Sequence, residues 1–207
     1  IYDSNRYTIG GMLTRLGVET IDMGIVRDER DAVEQAFAAA AGMADAVITS
    51  GGVSVGDADY VTETLERTGS VGFWKVAMKP GRPLAFGHIN DALFFGLPGN
   101  PVSVMATFYQ LVQPALQALS GLAEPAPPLT VTAQAAEPLR KKPGRREFQR
   151  GVLVRDADGR LLVHGGSQGS GILSSMNRAN CFIVLPEDAG PVAAGDEVTV
   201  QPFAAFV

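Results

Sequence analysis

Apolar positions along this chain recur with two periods, and the dominant period changes near residue 120. In DSNRYTIGGMLTRLG, Ile9, Met12, Leu13 and Leu16 fall at helical spacing. Asp3 or Ser4 can cap the start of that helix and Gly17 can end it. VETIDMGIV alternates as a strand does. ERDAVEQAFAAAAGM predicts a helix and DAVIT a short apolar strand. A further helix is expected from about Tyr60 to Arg67, closed by Gly69. VGFWKVAMKPG, PLAFGHI and DALFFGLPG predict three more strands. NPVSVMATFYQLVQPALQAL is the longest helical stretch.

Strands thus alternate with helices from Ile1 to Leu119. That order predicts an α/β fold of three layers, α/β/α, around a parallel or mostly parallel sheet. Ligands of such sheets sit at the carboxyl ends of the strands. At SGLAEPAPPL the character changes, and its prolines make a stiff linker. Beyond it, LTVTAQAAEPL, REFQRGVLVRD, RLLVHGG, CFIVLPED and DEVTVQPF predict short strands, the pattern of a small β-barrel or sandwich. The expected division is residues 1–121, a linker at 122–128, and an all-β part at 129–207.

Composition narrows the function classes. The chain has 207 residues and a net charge of −5, which argues against a general nucleic-acid binder, since those present a basic face. Its single cysteine, Cys181, allows no intrachain disulfide and no cysteine-rich zinc site, and fits a reducing compartment such as the cytoplasm. No apolar run approaches the length of a membrane span. The chain opens on Ile1 instead of methionine, which suggests that material precedes it.

Several stretches can carry chemistry. SGGVSVGDADY lies between a strand and a helix. Gly51, Gly52 and Gly56 let backbone N–H groups face an anion, and Ser50 and Ser54 add hydroxyls. Asp57 and Asp59 become useful there if a hard cation bridges them to phosphate oxygens, although an aspartate also serves as an ordinary helix cap. In FWKVAMKPGRP, a continuous strand would put Lys75 and Lys79 on one face, with Arg82 at the turn. Their long stems could converge on a polyanion or simply snorkel to water. In GLPGNPVS, the helix start at Gly99, Asn100 and Pro101, with Ser103 in the first turn, offers an anion site or plain capping. DSNR repeats that choice with Asp3. KKPGRREFQRG clusters basic residues beside Arg150, and GSQGSG offers Ser170. His88 and His164 have no metal-ligand spacing.

In this order and spacing, YDSNR, ITSGGVSVGDADY, FWKVAMKPGRPLAFG, FGLPGNPVSVMATFYQLVQPAL and PGRREFQRG resemble the molybdopterin molybdenumtransferase family, MoeA, whose animal relative is the C-terminal part of gephyrin. The resemblance covers essentially the whole chain. It implies insertion of molybdenum from molybdate into adenylylated molybdopterin, with release of AMP and a requirement for Mg²⁺. It implies a homodimer of four-part protomers, with the two N-terminal parts absent here, and a partner adenylyltransferase that supplies the substrate. Neither nucleic acid nor membrane is expected as a partner. Carried over by position, Asp59 and Asp28 match functional carboxylates, and Asp57 joins Asp59 as a metal-ligand candidate. Lys75 and Lys79 match cations assigned to molybdate or phosphate. Pro98 and Pro101 frame the turn at the helix start, and Arg150 and Ser170 match functional positions in the β part.

Two other functions use the same scaffold: adenylyl transfer from ATP onto molybdopterin, and a gephyrin-like scaffold that binds receptor peptides. The linker and β part argue against the first. No sequence feature marks a peptide groove for the second.

Overall fold

The computed structural model describes residues 3–51 and 60–203, which fall into two compact units. The first comprises Ile1–Val76 and Gly81–Leu122, the second Ala77–Pro80 and Ala123–Val207.

The first unit carries a four-stranded sheet in the order β1 (Ala46–Ser50), β5 (Ala92–Leu97), β4 (Pro83–Ile89), β2 (Gly69–Lys75). β1 pairs parallel to β5, while β4 pairs antiparallel to both β5 and β2. Three of the four strands therefore run the same way and one runs against them, so the sheet is mixed. The cause is local. Only Asn90 and Asp91 separate β4 from β5, and so short a connection joins only antiparallel neighbours.

Helices α2 (Arg30–Ala41) and α3 (Tyr60–Thr68) cover one face. Val33 and Phe37, one turn apart on α2, and Leu65 of α3 pack with Val47, Ala85, Ile89, Ala92 and Phe94. Phe37 meets Phe94 edge-on with ring centroids 5.4 Å apart. Each such fully buried side chain contributes about 1.5–3 kcal/mol relative to exposure. Arg30–Glu63 and Arg67–Glu34 ion pairs join the two helices at their solvent side. Phe95 and Leu97 alternate with Phe94 and face the other layer. There α1 (Ser4–Leu16), with Ile9, Met12 and Leu13 buried, packs on α4 (Pro101–Thr107), which in turn contacts β5. Gly17 closes α1 at φ +70°, as its sequence predicts.

Three expectations change. VETIDMGIV forms no strand. The Asp22 carboxylate accepts from the Gly24 N–H at 2.8 Å, and Gly24 turns the backbone at φ +74°, out of the extended region. Ile21, Met23, Ile25 and Val26 are consequently exposed. The longest helix contains a π-helical turn, Phe108–Val112, before α5 (Gln113–Leu119). Pro114 has no N–H for the Gln110 carbonyl, and its ring would crowd that oxygen in an α register; the wider turn relieves both. Finally, VGFWKVAMKPG is not one strand. β2 stops at Lys75, the Val76 N–H bonds the Arg82 carbonyl at 2.8 Å, and β3 (Met78–Lys79) pairs parallel to β7 in the second unit.

The second unit is a five-stranded barrel. β7 (Arg146–Arg155), β8 (Leu161–Gly165), β6 (Val131–Ala135), β10 (Glu197–Pro202) and β9 (Cys181–Leu185) pair in that order, and β9 closes the ring on β7. Its core gathers Ala133, Leu139, Val163, Cys181, Ile183 and Val200. Gly151 sits where β7 passes from pairing with β9 to pairing with β8. A Cβ there would lie 2.9 Å from Val163 Cγ2, so only glycine lets the strand turn the corner this tightly. A short helix, α6 (Ser174–Arg178), precedes β9.

Candidate functional site

β1, β5 and β2 all end at the same edge of the first unit's sheet, and three turns meet there. α1 begins at Asp3, whose carboxylate accepts from the Arg6 N–H at 3.2 Å and so caps the helix. Asn5, in that first turn, donates from Nδ2 to Ser50 Oγ and to the Gly99 carbonyl, each at 2.8 Å. Ser50, the last residue of β1, donates from Oγ to the Pro98 carbonyl at 3.2 Å. Gly51 follows at φ +88° and donates its N–H to the Leu97 carbonyl at 3.1 Å. That φ lies in the left-handed region, where a side chain is strained, so the chain can leave β1 in this direction only through glycine. The start of α1, the end of β1 and the β5–α4 turn are thus laced together. Asn5 Oδ1 is buried and has no hydrogen-bond partner among the described residues.

Pro98 is buried, whereas Gly99 and Asn100 are exposed on the rim of this junction. Pro101 occupies the first turn of α4, and Asn100 precedes it in extended conformation without a side-chain cap bond. Ser103 is buried within that helix. Lys75 ends β2, and Arg82 immediately precedes β4, which runs the other way. Both cations therefore stand, exposed, at the same end of the sheet as Ser50 and Gly99. β2 lies two strands from β5, about 10 Å at ordinary strand spacing, which a lysine stem spans in large part. Arg6 is committed locally: it pairs with Asp3 and Asp22, and its guanidinium stacks on the Tyr7 ring at 4.9 Å. Its ionisation is raised, first by Asp22 and then by Tyr7.

The other sequence candidates lie on other elements, several of them in the second unit. Asp28 is exposed in the irregular segment before α2. Lys79 belongs to the second unit, where its Nζ pairs with the buried Glu147 carboxylate at 3.2 Å. The reading that puts Lys75 and Lys79 on one strand face is therefore corrected, because the backbone leaves the sheet between them. Arg150 is 2% exposed. Its guanidinium donates to the Ser167 and Gly169 carbonyls at 2.8 and 3.1 Å, and Nε donates to Ser175 Oγ at 3.2 Å. It is a strut of the barrel and not an open cation. Burial lowers its pKa from the usual guanidinium value. Ser170 is half-buried in the loop that this strut holds. Gly52, Ser54, Gly56, Asp57 and Asp59 lie outside the described residues.

Sequence reading passed over Asn5 because DSNR reads as capping by its neighbours. The available signal is an asparagine inside a helix's first turn, a residue type with low helix propensity there. Among the described residues no group of three His, Cys, Asp or Glu side chains could hold a metal ion.

The family described as a probable molybdopterin binding domain matches residues 1–118, more than half of the chain. The chain belongs to that family. The MoeA C-terminal region, domain IV, matches residues 132–203. The molybdopterin molybdenumtransferase of Haemophilus influenzae is 48% identical over 204 residues, which cover 98% of this chain and 50% of that protein. The protein of the same name from Nostoc is 37% identical, over 97% of this chain and 47% of that protein. The crystal structure of a molybdopterin biosynthesis MoeA protein from Pyrococcus horikosii superposes with a TM-score of 0.80 at 31% identity, over 98% of this chain and 48% of that one. The chain spans about half the length of the curated relatives it matches. For this molybdopterin-binding family member, the junction at Asn5, Ser50 and Gly99 falls where open α/β sheets place their ligands. No described helix is long and apolar enough to cross a membrane.

Proposed function

We propose that this chain forms the pterin-binding and barrel portion of a molybdopterin molybdenumtransferase, which uses molybdate to place molybdenum on the dithiolene of adenylylated molybdopterin and releases AMP. One observation carries the reading. In a chain of the molybdopterin-binding family, three turns interlock at the carboxyl ends of the strands, with Lys75 and Arg82 at the same edge. The exposed backbone around Gly99 and Asn100 suits a phosphate-bearing ligand, and the two cations raise the local concentration of an incoming oxyanion. In the reaction the phosphoanhydride between the adenylyl and pterin phosphates breaks. An oxygen from water or molybdate replaces the leaving AMP, and the dithiolene sulfurs take the metal. The proposal assigns Asp59 and Asp28 to catalysis on family position, and Ser54, Gly52 and Gly56 to phosphate contact on the donors that a glycine-rich loop offers.

Magnesium dependence rests on Asp57 and Asp59. The described residues by themselves do not assemble a magnesium centre, since the Asp3 carboxylate is taken by Arg6 and no three-carboxylate group forms. No step is therefore routed through the metal. The proposal also includes a homodimer, a cytoplasmic setting and an adenylyltransferase as the source of substrate. The test is direct titration of the chain with molybdopterin and with its adenylylated form, followed by chromatography for AMP after molybdate is added to the full-length protein. Saturable binding of the pterin is expected; absence of binding to either form overturns the reading.

A further inference from the structure

We propose that Asn5 is the positioning residue of this site, and that its carboxamide sets the spacing of the three turns through a one-way relay of hydrogen bonds. The orientation of the amide is fixed by its partners. The Gly99 carbonyl can only accept, so the nitrogen of Asn5 and not its oxygen must face it, at 2.8 Å. The second N–H of the same nitrogen goes to Ser50 Oγ, also at 2.8 Å. A hydroxyl has one proton, and that of Ser50 goes on to the Pro98 carbonyl at 3.2 Å. Every donor in the relay therefore runs outward from Asn5, and both carbonyls flanking the β5–α4 turn end on it.

Two consequences separate this from a first-turn asparagine that merely fills a helix position. Ser50 cannot donate to a bound oxyanion without releasing Pro98, so it acts as a strut between turns and not as a ligand donor. And the relay depends on hydrogen-bond polarity, not on side-chain shape. Asn5→Asp keeps the shape but replaces two donors with two acceptors, each facing an oxygen. Lowering the pH protonates that aspartate and returns one donor.

The test uses the full chain. Amide exchange at Gly51, whose N–H bonds the Leu97 carbonyl, reports the turn directly, expressed as protection relative to the free peptide. Molybdopterin affinity reports the site, and that arm alone rests on the proposed function. At about pH 8, Asn5→Asp is expected to lower Gly51 protection about tenfold and raise the molybdopterin Kd about tenfold, the loss of roughly one net hydrogen bond or more. By about pH 4, near the ordinary aspartate value and below one raised by the two facing oxygens, both are expected to recover in part as the carboxyl is protonated, while the wild type shows no such recovery. Wild-type protection in the variant, lowered protection with unchanged affinity, or the absence of acid recovery each overturns the inference. If Asn5→Asp does not fold, Ser50→Ala removes only the leg of the relay that runs through Ser50 to the Pro98 carbonyl, and about threefold changes in both readouts are expected; no change overturns it. A wild-type chain that binds no molybdopterin sinks the proposed function, yet acid-reversible loss of Gly51 protection in Asn5→Asp still upholds the role of Asn5.

Discussion

Cys181 is fully buried at the start of β9, and its burial pushes the thiol up to about 11 from an ordinary 9.0. The folded barrel thus holds its proton where an unfolded chain would release it. For an acid raised in this way, stability is complete below the unfolded value and falls as pH rises from about 9 to about 11. Cys181→Ala is expected to flatten that alkaline loss in urea denaturation followed by circular dichroism. A disulfide-exchange reagent at neutral pH should modify the native thiol only as fast as the barrel opens. Arg150 makes a second case at this scale. Arg150→Met keeps the bulk but leaves the Ser167 carbonyl without its donor, while the Gly169 carbonyl keeps the Ile172 N–H and the Ser175 hydroxyl keeps its bond to the Ile172 carbonyl, so the barrel should lose about 1–3 kcal/mol in the same measurement. The buried arginine stands in a basic stretch, and nothing in REFQRG distinguishes a strut from an open cation. Asn5 was hidden for the related reason that its partners lie 45 and 94 residues away. Gly51, by contrast, was legible: a glycine leaving a strand announces an unusual turn.

Among the elements, those with a single clear period were readable. α1, α2, β4, β5 and the five barrel strands stand where the apolar spacing puts them. What failed was continuity. VGFWKVAMKPG has the residues of one strand, yet its two halves pair with different sheets, and alternation cannot say which partner a residue faces. VETIDMGIV failed because an aspartate and a glycine two positions apart made a turn inside an alternating run. The misread segment has energetic consequences. Glu147 is 3% exposed and Lys79 45%, so the carboxylate depends on the pair far more than the ammonium does. Among the described residues, Lys79→Met leaves the buried carboxylate with only the Gln149 Nε2 bond, at 2.9 Å. Its cost is expected to be about 1–3 kcal/mol in denaturant melts and to exceed that of Glu147→Gln, which frees a lysine already reaching solvent. Equal costs would show that the pair is mere surface decoration. Loss of activity in a Lys79 variant therefore needs a stability measurement before it is read as loss of an oxyanion contact.

At the scale of the molecule, the chain passes between its two units three times, at Val76–Ala77, Pro80–Gly81 and Leu122–Ala123. Only the last passage is visible as a proline-rich stretch. β8 pairs with β7 over Gly151–Arg155 and leaves its first residues open, and β3 covers them at Arg146 and Glu147. Residues 123–207 produced alone are expected to fold less stably than the same barrel in the intact chain, by about 2 kcal/mol, the burial of Met78 and one ion pair. Identical denaturation midpoints would contradict this. A ribosome delivers Met78 and Lys79 long before β7, the strand they join, so this pairing must wait until the linker, β6 and the start of β7 have been made. Anyone swapping barrels between relatives must move that early tetrapeptide as well, or the graft will arrive with the start of β7 uncovered.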